Sequence, residues 1–230
     1  MKTLFLTATL ALAAVGLAGC GQTESNANSI NHNSMVKNSN SSMNGNGMDH
    51  NSLPMNSNNR EDHSAMKSSP NAASQPYDLQ FIDTMTMHHQ GAVDMAKIAL
   101  TKSQNADLKK FAQKIIDDQN QEIGQMKEWR EKWYPGNPMA MNMEMPGMGD
   151  SMKMMNGDGM KKLEGAIGKD FDIYFLDMMI PHHAGATVMS KEALTKAEHP
   201  EVKTLATQII KEQEAEIKLM TDWKEKWGGK

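Results

Sequence analysis

The sequence predicts an all-α protein, a four-helix bundle assembled from two duplicated helical hairpins, and three observations carry that expectation. Residues 81–133 fall on residues 175–227 without a gap after a shift of 94, with 25 of the 53 positions identical. Within each copy, apolar residues recur at intervals of three and four, the period of one helical face. No stretch alternates apolar and polar residues convincingly in the way a half-buried strand requires.

Taken in order, residues 1–19 read as a signal peptide. Lys2 precedes an apolar run from Leu4 to Ala18, which is short for a membrane span. The run ends in "LAGC", which resembles the lipobox of bacterial lipoproteins, so Cys20 is the expected lipidation site. It is the only cysteine, so an acylated Cys20 leaves no disulfide and no thiolate ligand. The expected location is the cell envelope, across the inner membrane and held by a lipid anchor on a periplasmic or extracellular face. The formal net charge is −4, and loss of Lys2 takes it to −5. That mildly acidic balance argues against nucleic acid as a partner.

Residues 20–76 are rich in Asn and Ser and nearly free of large aliphatic side chains. Such a segment cannot bury enough apolar area to offset its ordering entropy, so a disordered tether is expected. Methionines and histidines are scattered through it, among them His32, Met35, Met48, His50 and His63.

Residues 77–134 are the first hairpin. One stripe runs Ile82, Met85, His89, Ala92, Ala96, Ala99; the pattern pauses at "TKSQNADL" and resumes as Leu108, Phe111, Ala112, Ile115, Gln119, Ile123, Met126. Residues 163–230 repeat the pattern, with a corner at "KAEHPEV" where Pro200 suits a first helical turn. Pro181 replaces Met87 and is expected to kink the helix or start it at the histidines. Between the hairpins, residues 135–162 form a Met-rich connector, with nine methionines among Gly, Pro and Asn in 135–160. A connector of that composition has little core to fill. Met139, Met141, Met143, Met145 and Met148 are therefore candidate additional metal ligands.

The chemistry concentrates at "DTMTMHHQGA" and "DMMIPHHAGA". Met85 stands three residues before His88 and four before His89, and Met95 lies two turns beyond, so these side chains share one side of a helix. Met179, His182, His183 and Met189 repeat the spacing, and Met178 precedes His182 by four. Folding each hairpin at its corner brings Gln119 and Glu122 to the level of His88 and His89. Gln213 and Glu216 likewise face His182 and His183, and these four are the expected outer partners of the ligands. Adjacent histidines diverge by about 100°, so at most one of each pair faces the bundle axis squarely.

Ligand softness then selects the metal. Thioethers favour Cu(I) and its heavier relative Ag(I), and imidazole suits copper. Zinc asks for more His, Cys or carboxylate in a closed tetrahedral set. A di-iron carboxylate centre asks for Glu-x-x-His, but Met85 and Met179 hold the place three residues before His88 and His182. No catalytic acid, base or nucleophile is arranged in the sequence, so an enzyme is not expected.

"MTMHHQGAVDMA" and "MMIPHHAGATVM", each followed by a helix ending in "MKEWREKW" or "MTDWKEKW", resemble the domain of unknown function 305 family over residues 77–228. That family is ferritin-like in architecture, and some members, the CopM-type proteins, are extracytoplasmic copper binders linked to copper resistance. The resemblance implies a ferritin-like four-helix bundle using Met85, His88, His89, Met95, Met179, His182, His183 and Met189 for copper. The expected protein is thus a lipid-anchored copper binder that sequesters, buffers or hands on Cu(I), with Ag(I) as a second cargo and a transfer partner of unknown identity. The alternatives are a ferritin-like metal-dependent oxidoreductase and a bundle that binds another envelope protein without metal.

Overall fold

The computed structural model describes residues 67–228, which are all-helical, with no strand among them. The expected signal peptide, Cys20 and most of the 20–76 tether lie outside the described residues. Four long helices dominate: α1 (Tyr77–Lys102), α2 (Ala106–Trp133), α5 (Gly168–Lys196) and α6 (Pro200–Gly228). Two short ones, α3 (Met148–Met152) and α4 (Gly157–Gly165), stand between the hairpins. No helix of the described residues is long and apolar enough to cross a membrane.

Each hairpin closes through a three-residue corner. Between α1 and α2, the Asn105 side chain caps α2 by accepting from the backbone N–H of Asp107 (2.9 Å) and Leu108 (3.3 Å). Between α5 and α6, Pro200 opens the helix with its fixed φ and missing N–H, where no partner would be available. α1 packs on α2, α5 on α6, and α1 on α5. Phe81, Ile82, Leu108 and Ile115 from one hairpin and Phe171, Phe175, Leu205 and Ile209 from the other are buried in one apolar cluster. Burial of each such side chain contributes about 1.5–3 kcal/mol.

Pro181 does not start the helix at the histidines, since α5 runs through it from Gly168 to Lys196. The ring removes one ladder bond. The packed flanks, with Met178, Met179, His182 and His183 all buried, hold the remaining turns in register.

The connector departs most from expectation. It has a core to fill: Met141, Met145, Met148, Met152 and Met155 are buried, Met143 is half-buried, and Met139, 38% accessible, is the one exposed side chain among the five candidates. The cause is a set of polar anchors on α1. Asp83 Oδ2 accepts from Ala140 N (2.8 Å), Thr84 Oγ1 from Asn142 N (2.9 Å) and Gln80 Oε1 from Asn142 Nδ2 (2.9 Å). Arg130 Nε donates to the other Asp83 oxygen (2.7 Å), which secures that carboxylate from α2. The end of the expected tether joins in, with Ser69 N donating to Met141 O (2.8 Å) and Ser68 Oγ accepting from Met143 N (3.0 Å). α4, capped by Asn156 through Gly159 N (2.7 Å), runs across the boundary expected at residue 162.

Candidate metal centre

Where α1 crosses α5, four imidazoles form one layer with no exposure to solvent. His88 and His182 face each other directly, ring centroids 3.7 Å apart and tilted by 32°. Their sequence neighbours turn outward, His89 and His183 lying 6.3 Å from His88 and His182 respectively. This is the divergence that helical geometry imposes on adjacent residues. Each outer ring meets the second helix of its own hairpin, with His89 Nε2 2.7 Å from Glu122 Oε2 and His183 Nε2 2.9 Å from Glu216 Oε2. A carboxylate on Nε2 leaves Nδ1 as the nitrogen available to a ligand, the outer-partner arrangement common at metal-binding histidines.

The polar atoms of this layer are unusually poorly satisfied. Both ring nitrogens of His88, Nδ1 of His89 and His183, and the Oε1 atoms of Gln119 and Gln213 are buried without a hydrogen-bond partner. A buried polar atom left unpaired costs about 1–3 kcal/mol. Several together mark a place where a fold has accepted strain or awaits a further group.

Burial drives the His88 imidazole well below its ordinary value of 6.5; the charges of His89 and His183 push the same way, and the backbone of His182 opposes them. Below pH 6.5 the unfolded chain therefore takes up a proton that folded His88 refuses, so stability is full above that pH and falls as the solution is acidified. The slope is at most about 1.4 kcal/mol per pH unit for one proton. Glu216 behaves differently. Burial raises it, but the hydrogen bond and charge of His183 and those of Lys114 outweigh burial and lower it from 4.5, so its contribution is lost only at more acid pH. Urea denaturation of the metal-free chain at pH 7.5 and 5.5 should show the loss, and His88→Phe should remove most of it.

Met85, Met95, Met178, Met179 and Met189 are all buried in α1 and α5. Among the described residues no group of three or more His, Cys, Asp or Glu side chains converges to hold a metal ion. A residue outside the sequence-based set enters here. A Cβ placed on Gly91 would lie 2.6 Å from Met155 Cε, 3.2 Å from Met155 Sδ and 3.4 Å from His182 Nε2. Met155 thus brings a connector thioether to the histidine layer through the space left by a glycine. The signal available in the sequence was the glycine itself, three residues after His88, since a missing side chain beside a ligand marks close approach.

The family model described as Domain of unknown function (DUF305) matches residues 78–224. Among solved structures, CopM in the Cu(I)-bound form is 39% identical at a TM-score of 0.55, covering 66% of this chain and 98% of that one. CopM in the Cu(II)-bound form is 41% identical at 0.56, covering 65% and 97%. A DUF305 fragment from Deinococcus radiodurans is 31% identical at 0.55, covering 64% and 95%. CopM also has silver-bound and apo structures. Among curated proteins, none matches the chain.

Proposed function

The chain belongs to the domain of unknown function 305 family, and from that membership and the buried histidine layer we propose that it is an extracytoplasmic, lipid-anchored copper-binding protein. It takes Cu(I), and Ag(I) by the same softness, on imidazole nitrogen and methionine sulfur. It is a store, buffer or donor of the ion rather than an enzyme acting through it. The observation that carries this reading is the layer of four fully buried imidazoles at the crossing of α1 and α5, in which Nδ1 of His89 and of His183 has no hydrogen-bond partner. The donor chemistry fits a soft ion. Imidazole nitrogens of the layer have the Met155 thioether beside them at His182. The likeness to CopM structures in copper- and silver-bound forms supports the choice of metal.

The four long helices are read as a ferritin-like four-helix bundle, with Gln119, Glu122, Gln213 and Glu216 orienting the ligands. Anchoring is read from Cys20 in "LAGC", the only cysteine.

A Cu(I) competition titration against a coloured chelator, on the soluble chain from Gly21 onward, tests the reading. The parent should withdraw copper, and the His88, His89, His182, His183→Ala variant should not. A His88→Phe, His182→Phe variant keeps the packing volume and guards against simple unfolding, which circular dichroism checks. Equal binding by parent and variants would move the site to the connector methionines, and no binding by the parent would overturn the copper reading.

A further inference from the structure

The histidine rings have no exposure, so any ion they accept must cross the protein to reach them. A cleft of about 300 Å³ opens between α2 and α6, lined by Lys114, Lys211, Glu212, Ala215, Glu216 and Leu219 among others. Glu216 links this cleft to the layer. Its Oε2 lies 2.9 Å from His183 Nε2, while its Oε1 receives Lys114 Nζ at 2.9 Å from the facing helix. Lys114 is half-exposed and also pairs with Asp118, one turn along its own helix. The other half of the layer differs: Glu122 does not line this cleft, and the position corresponding to Lys114 after the shift of 94 is Gln208.

On the premise that the histidines take a soft cation, we infer that this cleft is the cation's route to the layer, with Glu216 as its first ligand and Lys114 as the residue that controls passage. A cation approaching Glu216 Oε1 meets the ammonium group already there, and repulsion between the two like charges opposes its entry until Lys114 moves aside. Lys114 has somewhere to go, because Asp118 retains its charge when it swings away. Ion pairs of half-exposed lysines are weak, so this barrier is one that a cation can cross, with Glu212 in the cleft attracting it and Lys211 opposing it. Beyond it the ion meets His183, whose ring lies 6.3 Å from that of His182 in the layer. Lys114 is therefore a positioning residue that sets the rate of loading rather than the composition of the final site.

Stopped-flow loading of the metal-free chain with Ag(I), followed by tryptophan emission, tests this. Lys114→Gln should load about threefold to tenfold faster, with a rate change exceeding any change in affinity. Ala215→Phe, at an exposed position in the cleft, should load more slowly by a similar factor with stoichiometry unchanged. Lys97→Gln, which removes an exposed charge on α1, should load like the parent. Parent rates in both Lys114→Gln and Ala215→Phe would overturn the route while leaving the histidine site intact. If the quadruple histidine variant still binds as the parent does, the premise fails instead.

Discussion

Asp78→Ala is expected to lower the unfolding free energy by about 3 kcal/mol, the cost of leaving the partners of a buried charge without it. Asp78 sits in the first turn of α1 and is only 1% exposed. Its carboxylate accepts from the backbone N–H of Glu198 (3.0 Å) and of His199 (2.8 Å), and lies 2.6 Å from His199 Nδ1. A negative charge at that helix end is favourable in itself. Here it also fastens the α5–α6 corner to the start of α1 across about 120 residues of sequence. The clamp reaches a third element, because the His199 ring stacks on Trp133 at 3.9 Å and 11°, at the end of α2. Alanine leaves two backbone donors at the corner without an acceptor and frees the ring from one side. Asn keeps an acceptor but no charge, so Asp78→Asn should lose about half as much. Urea denaturation with an unchanged m-value is the measurement, and Trp133 emission should shift before the global transition. A loss below about 0.5 kcal/mol would mean that apolar packing alone closes the corner.

That clamp was beyond the reach of the sequence, and its position explains why. Asp78 lies before the matched stretch that begins at Phe81, and position 199 carries His where the corresponding position is Asn105, so the internal match hid both. The histidine–glutamate pairs were legible for the opposite reason. A helix has a fixed rise, so a corner placed between Lys102 and Ala106 dictates which residue of α2 stands opposite His89, and Glu122 is found there at 2.7 Å. The long helices followed from the same period of their apolar faces. The connector could not be read in that way. Methionines two or three residues apart specify no element, and their burial is decided by Asp83, Thr84 and Gln80 on a distant helix. Some local signals were present, such as Asn156 ahead of "GDGMKKLEG", a sound helix start. Composition alone made the segment look like a linker, when tertiary contacts make it part of the core.

Gly91 and Gly185 correspond after the shift of 94, and their substitution by alanine should separate fold from site. At Gly185 a Cβ would lie 2.4 Å from Ser151 Cβ and 2.5 Å from the Gly147 carbonyl oxygen. Gly147 is itself in the left-handed region, with φ +87, so its carbonyl has little freedom to turn away. The start of α3 would have to lift from α5. Overpacking of that kind costs about 1–3 kcal/mol, and the better helix propensity of alanine returns about 1 kcal/mol at most. A net loss of up to about 2 kcal/mol is expected for Gly185→Ala in chemical denaturation. At Gly91 the obstacle is the tip of Met155, an unbranched side chain that can rotate aside at small cost. Gly91→Ala should therefore leave stability unchanged or slightly raised. Its effect should fall on metal instead, because moving the Met155 thioether removes the connector sulfur from beside His182. Silver affinity should drop about tenfold, the scale on which displaced supporting groups act at metal sites. Parent affinity in Gly91→Ala would show that Met155 packs against the histidine layer without ligating. A loss of stability there equal to that at Gly185 would show that Met155 is held as rigidly as backbone.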